Sequence, residues 1–121
     1  MVPTELDLER AIRDLLEWDG WIVRKMERNY SERKRKSVGE LGMPDLLAIR
    51  YIQDSFAAEV LWIEVKRTFR QKATKAAGHQ HEWHTRERRR GAFTVIAGED
   101  FEASIDGFKL WYRREFMNEK N

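Results

Sequence analysis

The chain has 121 residues, which is enough for one domain with a buried core and too few for two. Its 41% hydrophobic and 12% aromatic content excludes a disordered chain, and the absence of cysteine excludes disulfides and thiolate metal sites. The formal net charge is only +2, but the sequence pI is about 9.0 and the basic residues are clustered.

The first part of the chain predicts a helix, a strand and a long loop. Apolar residues at helical spacing follow the candidate N-cap Thr4 and predict an amphipathic helix over 5–18, which Asp19-Gly20 ends. Alternation of side chains predicts a first strand over 21–26. Residues 27–43 are polar, basic and glycine-containing, so we expect a loop there, and its length is typical of a functional segment.

Two short apolar runs, rich in Val, Ile, Leu and Trp, come next. They predict strands over 45–51 and 58–67, with a turn at 53–55 between them. Runs of this kind are typical of strands that are buried in a sheet.

The remainder predicts a helix over 72–90, a fourth strand over 93–96 and short helices over 99–105 and 108–117. The helix between the third and fourth strands favours a parallel crossover. The sequence therefore predicts a single α/β domain over 1–121, with the order αβββαβ and a C-terminal helical tail.

Charged residues interrupt the two central strands. Asp45 opens one strand, and Glu64 and Lys66 share a face of the next while Val65 points the other way. If the strands pair, Asp45 lies beside Glu64. Two carboxylates suit Mg²⁺, and a lysine can orient attacking water or stabilise negative charge. A solvated cross-strand ion pair is the alternative, but charges in so apolar a run need partners or a metal.

Three motifs resemble the VRR-NUC branch of the PD-(D/E)xK nuclease superfamily. They are Gly42-Met43-Pro44-Asp45-Leu46, Ile63-Glu64-Val65-Lys66 and Gln80-x-x-Trp83. The chain is similar also to the Holliday-junction resolvases of archaeal type, and the resemblance runs from the first helix to about Gly98. It implies a restriction-endonuclease-like αβββαβ core, a mixed central sheet flanked by helices, and metal-dependent cleavage of DNA.

The resemblance also implies roles for single residues. Asp45 and Glu64 are expected to hold Mg²⁺, for which Mn²⁺ can substitute, with the backbone carbonyl of Val65 as a third ligand. Lys66 is expected to act on the nucleophilic water. Gln80 is expected near the metal site, where an amide can bond a water or a phosphate oxygen without adding charge.

A glutamate of the first helix is expected to complete the site. Archaeal-type resolvases carry one at the spacing that Glu9 has from Gly20, whereas VRR-NUC proteins often carry it one turn earlier, at Glu5. The two lie on one helix face, so both alternatives stay open. Glu9 is the preferred catalytic residue. The alternative is that both glutamates belong to an exposed acidic face of the helix, which is common.

Basic clusters flank the predicted site, as phosphate contacts require. One precedes Asp45 on the loop, and Lys66-Arg67 and Arg70 extend the same surface. The predicted DNA-binding residues are Arg33, Lys34, Arg35, Lys36, Arg67 and Arg70. A solvated loop is the alternative. A second cluster, Arg86, Arg88, Arg89 and Arg90, is expected to bind DNA as well, and the alternative is that it complements the dipole of its helix.

The second long helix carries three histidines, His79, His81 and His84. No Cys joins them and no His-Glu-x-x-His spacing occurs, so zinc is not expected. A solvated or DNA-facing role is predicted for the histidines, and core packing for Trp83.

The predicted function is a metal-dependent DNA endonuclease selective for branched DNA such as Holliday junctions. A homodimer is expected by likeness to two-fold resolvases, and because the apolar C-terminal residues offer a partner surface. The alternatives are a nuclease-fold DNA-binding protein that no longer cuts, a restriction-type enzyme and a flap nuclease. The chain shows no signal peptide or membrane span, so we expect a cytoplasmic protein of a bacterium or phage-infected cell.

Overall fold

In the computed structural model the described residues are 4–26, 30–31, 36–37, 43–65 and 75–117, with the side chains of 30–31, 36–37 and 75–79 left aside. The helices in these ranges are α1 (Glu5–Trp18), α2 (Lys75–Arg89) and α3 (Ile105–Phe116). The strands are β1 (Ile22–Lys25), β2 (Tyr30–Ser31), β3 (Lys36–Ser37), β4 (Leu46–Ile52), β5 (Ala57–Glu64) and β6 (Thr94–Ile96).

The main sheet has the strand order β1-β4-β5-β6. β4 pairs antiparallel with both β1 and β5, whereas β5 and β6 are parallel and α2 lies between them in the chain. The predicted αβββαβ order and mixed sheet are confirmed. Within the predicted loop 27–43, β2 and β3 form a separate two-stranded pair that the sequence did not predict.

The first helix begins and ends where its sequence predicts. Thr4 and Asp7 form a capping box: Thr4 Oγ1 accepts from Asp7 N at 3.0 Å, and Asp7 Oδ2 accepts from Thr4 N at 2.8 Å. Gly20 follows the helix with a φ of 92°, which favours glycine, and so turns the chain into β1.

The sheet has two faces that differ in what covers them. The core face carries Leu46, Ala48, Leu61 and Ile63, all fully buried. It packs against α1 and α3 through Leu8, Ile12, Leu16, Phe108, Trp111 and Tyr112. Burying each leucine or isoleucine contributes about 1.5–3 kcal/mol.

The opposite face, called here the α2 face, is covered by α2 over β5 and β6. Trp83 of α2 packs edge-to-face on Trp62 of β5, with ring centroids 5.1 Å apart. Trp83 is buried, which confirms its predicted place in the core. Trp62 and Glu64 are two residues apart on β5, so they share this face.

The C-terminal tail differs from its prediction. Residues 99–104 form a turn, a β-bridge from Phe101 to Ala97 and a bend, and a single helix, α3, replaces the two short helices. Ser104 caps α3 by accepting from Gly107 N at 2.9 Å, which sets the start of the helix later than the apolar pattern suggested. Phe101, Phe108 and Trp111 are buried within the chain, so the tail covers its own core and most of the predicted partner surface is not exposed.

A polar network fastens α3 to the rest of the domain. Trp21 Nε1 donates to Tyr112 Oη at 2.6 Å, and Tyr112 Oη donates to the carboxylate of Asp19. Arg50 pairs with the same carboxylate at 3.0 Å and lies over the Trp21 ring, 4.6 Å from its centroid. Burial is the largest influence on Tyr112 and, together with the bond to Asp19, raises its pKa to about 12. The phenol therefore stays protonated.

Tyr112→Phe should lower the free energy of unfolding by about 1–3 kcal/mol, because the buried indole N–H of Trp21 loses its acceptor. Chemical denaturation measures the change. Lys109→Ala, on an exposed position of the same helix, is the control and should leave stability nearly unchanged. Equal stability of Tyr112→Phe and the wild type would show that the network does not hold α3.

Candidate active site

Two carboxylates meet where β4 begins and β5 ends. Asp45 directly precedes β4, Glu64 is the last residue of β5, and the register pairs Leu46 with Ile63 between them. Since side chains alternate along a strand, both carboxylates lie on the α2 face. The Asp45 and Glu64 carboxyl groups lie within interaction distance of each other, and Asp45 Oδ2 accepts from Val65 N at 2.8 Å. The predicted juxtaposition of Asp45 and Glu64 is therefore present.

Burial is the main influence on Asp45 and raises the pKa of its carboxyl above the ordinary value. The bonds from Val65 N and Glu64 lower this pKa in part. Glu9 raises it through charge repulsion, and Lys25 lowers it. Two ionised carboxylates this close repel each other, so a shared proton or a bound cation stabilises the pair.

Gln80 of α2 contacts this pair directly. Its Nε2 donates to Glu64 Oε2 at 2.7 Å, and the side chain is buried. Trp83 follows one turn later on α2 and is anchored on Trp62, so it fixes the helix face that presents Gln80. The amide thus orients Glu64 without adding charge.

Glu9 lies on the core-facing side of α1 and is buried, whereas Glu5 is only half-buried. Both oxygens of Glu9 accept from Lys25 Nζ, at 2.9 and 3.0 Å. The repulsion between Glu9 and Asp45 places Glu9 within electrostatic reach of the pair. Of the two glutamates that the sequence left open, the structure brings Glu9 to the site.

Lys25 is a residue of the site that the sequence interpretation missed. It is the last residue of β1, on the face that also carries Val23 and opposite Leu46 of β4. The signal was the alternation of β1, in which Val23 and Lys25 share the face toward the core. A lysine at the inward end of that strand needs an acidic partner, and Glu9 is that partner.

The histidines of α2 do not share one environment. His84 is buried and hydrogen bonds to Thr94, while His81 is exposed; the side chain of His79 is outside the described residues. The predicted solvated role is therefore wrong for His84, because the Trp83 and Thr94 side chains enclose it.

The predicted DNA-contacting residues Arg33, Lys34, Arg35, Arg67 and Arg70, and the predicted catalytic Lys66, lie outside the described residues. Lys36 belongs to β3, but its side chain is not described.

The second basic cluster is occupied by internal pairs. Arg86 and Arg90 bind Glu87 at 3.0 and 2.8 Å, and Arg88 binds Asp100 at 2.9 Å. Arg88 also donates to the carbonyl of Thr94. These contacts favour a structural role for the cluster at the end of α2.

The acidic pair suits a hard cation with few protein ligands. Across the described ranges, no three His, Cys, Asp or Glu side chains form a group that fits a metal. Mg²⁺ needs only one or two carboxylates and fills its other positions with water and phosphate oxygens. The paired, largely buried Asp45 and Glu64 match that requirement.

These features define a nuclease-type α/β domain: a mixed four-stranded sheet, three helices in the described part of the chain, and a carboxylate pair at one end of the central strands. A solved structure titled "VRR_NUC domain" is similar to it, with a TM-score of 0.61, 25% sequence identity, and coverage of 95% of this chain and 99% of that one. No family model and no curated protein matches the sequence. This structural likeness agrees with the VRR-NUC resemblance of the motifs and supports the assignment to that family.

Within the described residues, the helices include none that is long and apolar enough to span a membrane.

Proposed function

We propose that this protein is a Mg²⁺-dependent DNA endonuclease that hydrolyses phosphodiester bonds. The observation that carries the proposal is the contact between Asp45 and Glu64, with Val65 N and Gln80 holding one carboxylate each. The likeness to a solved VRR_NUC domain supports the reaction class. Burial of two carboxylates against each other is costly without a cation, and a divalent ion is the simplest partner.

Each residue has a distinct task in this proposal. Asp45 and Glu64, with the Val65 backbone carbonyl, would hold Mg²⁺ or Mn²⁺, which supplies charge stabilisation to the phosphate under attack. Val65 N and Gln80 fix the two carboxylates before DNA binds. Lys66 orients the nucleophilic water. Glu9, held by Lys25, adds negative charge beside Asp45 and so strengthens the attraction for cations.

Branched DNA is the proposed substrate, and four-way junctions are its preferred form. The motifs resemble those of Holliday-junction resolvases, which supports selection by DNA shape over selection by base sequence. A homodimer would present two equivalent sites to the two strands of a symmetric junction.

Cleavage of labelled four-way, nicked, flapped and linear DNAs in Mg²⁺ tests the proposal. We expect paired nicks in the four-way junction, and none with Glu64→Gln, which keeps the shape of the side chain. Ca²⁺ should support binding without cleavage, since it tolerates looser oxygen geometry. Equal cutting by Glu64→Gln would contradict the nuclease site, and equal cutting of linear duplex would contradict junction selectivity alone.

Replacing Arg33, Lys34, Arg35 and Lys36 with serine should weaken binding to every DNA and flatten its salt dependence. Each lost phosphate contact reduces the slope of log affinity against log salt by about 0.9 for duplex DNA. Fluorescence anisotropy at several salt concentrations measures the slope. Arg86→Ser/Arg90→Ser is the matched control, because those side chains already pair with Glu87. An unchanged slope in the loop variant would place the DNA elsewhere.

A further inference from the structure

Among the described residues, α2 covers only part of the α2 face. α2 packs over β5 and β6 through Trp83, and the rows nearer β1 and the β4–β5 turn lie outside its cover. The register joins Ile22, Ile49 and Val60 into one row across three strands, and Tyr51 with Ala58 form the next row. Ile22 and Val60 are 41% exposed and Tyr51 is 69% exposed, which is unusual for an uninterrupted apolar row.

The β4–β5 turn adds a second aromatic residue to this region. Phe56 is fully exposed, and its φ of 60° lies in the left-handed region that aromatic residues rarely adopt. Ser55 fixes the turn: its Oγ donates to the carbonyl of Ile52 at 2.7 Å and accepts from Ala57 N at 3.1 Å. The turn is fixed and keeps the Phe56 side chain in water, although the left-handed backbone of Phe56 is energetically unfavourable. Such an arrangement points to a contact surface.

From these observations we infer that the row Ile22–Ile49–Val60, Tyr51 and the turn residue Phe56 form the surface on which a second copy of this chain docks. The inference rests on the proposed homodimer and names its interface. It replaces the C-terminal tail, whose large apolar side chains are mostly buried in their own subunit.

Charge favours a protein partner over DNA at this surface. On the α2 face, β4 and β5 carry only uncharged residues, Leu47, Ile49, Tyr51, Ala58, Val60 and Trp62, until Glu64 is reached at the site. β1 adds one exposed cation, Arg24, opposite Leu47, and the turn adds one anion, Asp54. Phosphate binding needs a cluster of cations, whereas a largely uncharged apolar patch matches its own copy about a two-fold axis.

The exposed area also suits a dimer. Aromatic side chains present about 150–250 Å² each, so Tyr51 and Phe56 at their exposures leave roughly 350 Å² in water. Ile22 and Val60 bring the total to about 400 Å². A standard interface buries about 800 Å² per partner, a little over half of it apolar, or about 450 Å².

The surface leaves the acidic pair accessible. Ile49, the surface residue nearest Asp45 along β4, lies four residues beyond it, so about 13 Å separates them at the rise of an extended strand, and Tyr51 lies about 20 Å away. A copy docked on this surface therefore contacts β4 beyond the carboxylate pair, which leaves both sites open to DNA.

Sedimentation velocity without metal or DNA, at 1–100 µM (a concentration range chosen on the order of typical weak-dimer constants), tests the inference. We expect a dimer for the wild type and at least a hundredfold weaker association for Tyr51→Lys/Val60→Lys. The matched control is Trp18→Lys/Leu110→Lys, which adds the same charges at exposed apolar positions of α1 and α3 and should dimerise like the wild type.

A wild-type monomer throughout, or unchanged dimerisation of Tyr51→Lys/Val60→Lys, would overturn the inference. The inference would also be overturned if the protein is a monomer and Tyr51→Lys/Val60→Lys, but not the control variant, loses affinity for DNA. The surface would then bind DNA. Amide hydrogen exchange of the wild type needs no variant: protection of β4 and β5 should rise with concentration. A dimer that cuts no DNA would support the interface and refute the proposed function. A monomer that cuts DNA would refute the interface and support the proposed function.

Discussion

Asp45→Asn should abolish DNA cleavage and, at the same time, stabilise the metal-free protein at neutral pH. The loss in rate should be at least about 10²–10³-fold, because the carboxylate that attracts the cation is replaced by a neutral amide. The amide oxygen can still accept from Val65 N and its NH₂ can donate to Glu64, so the fold keeps its bonds.

The gain in stability follows from the sign of the pKa shift. The pKa of Asp45 is raised in the folded state, mainly by burial, so its contribution to stability is full below its unfolded pKa and is lost as pH rises through the folded value. At neutral pH the ionised Asp45 is therefore destabilising, and asparagine removes that cost. Thermal unfolding in EDTA at pH 7 should show a higher midpoint for the variant.

Asp54→Asn is the matched control for this prediction. Asp54 lies in the exposed β4–β5 turn with a φ of 60°, a conformation that asparagine tolerates well. Neither cleavage nor the unfolding midpoint should change appreciably. An Asp45→Asn protein that cuts DNA at more than a tenth of the wild-type rate would refute the carboxylate pair as the catalytic centre.

The sequence was sufficient to predict the strands that hold the site. Asp45 and Glu64 each border an apolar run of clear strand length, and pairing of the two strands requires the carboxylates to approach. α1 was predicted with its observed ends because Thr4, Asp7 and Gly20 fix them by local bonds and backbone preference. Local chemistry, visible in one stretch of sequence, decided these elements.

The remaining features depend on contacts between distant parts of the chain. Lys25 resembles any exposed strand lysine until α1 brings Glu9 within 3.0 Å of it, 16 residues away in sequence. In the sequence, His84 resembles a surface residue of a polar helix. In the structure, α2 packs against β6, and His84 is buried there and hydrogen bonds to Thr94. The tail resembles a free apolar patch until α3 folds onto the core face. Periodicity gives a residue its face but does not identify what covers that face.

Replacement of Lys25, which lies at the site, and of Lys66, to which the proposal gives a catalytic role, should separate catalysis from cation binding. Lys66→Ala should lower kcat by at least about 10²-fold at every pH while the affinity for Mg²⁺ stays the same, because a preorganised charge is lost from the reacting centre. Lys25→Met should act on cation binding instead. Lys25 lowers the pKa of Asp45, so its removal raises that pKa, and protonation competes with Mg²⁺ at higher pH.

Calorimetric titration with Mg²⁺ between about pH 5 and 8, a range above the ordinary pKa of a carboxyl group, measures the second effect. The double variant Lys25→Met/Glu9→Gln removes both members of the ion pair and, with them, opposing influences on the pKa of Asp45. Its pH dependence should return toward that of the wild type, which a merely structural role of Lys25 would not produce. If Lys25→Met instead lowers kcat as severely as Lys66→Ala with the affinity for Mg²⁺ unchanged at every pH, Lys25 rather than its partnership with Glu9 acts in the chemical step.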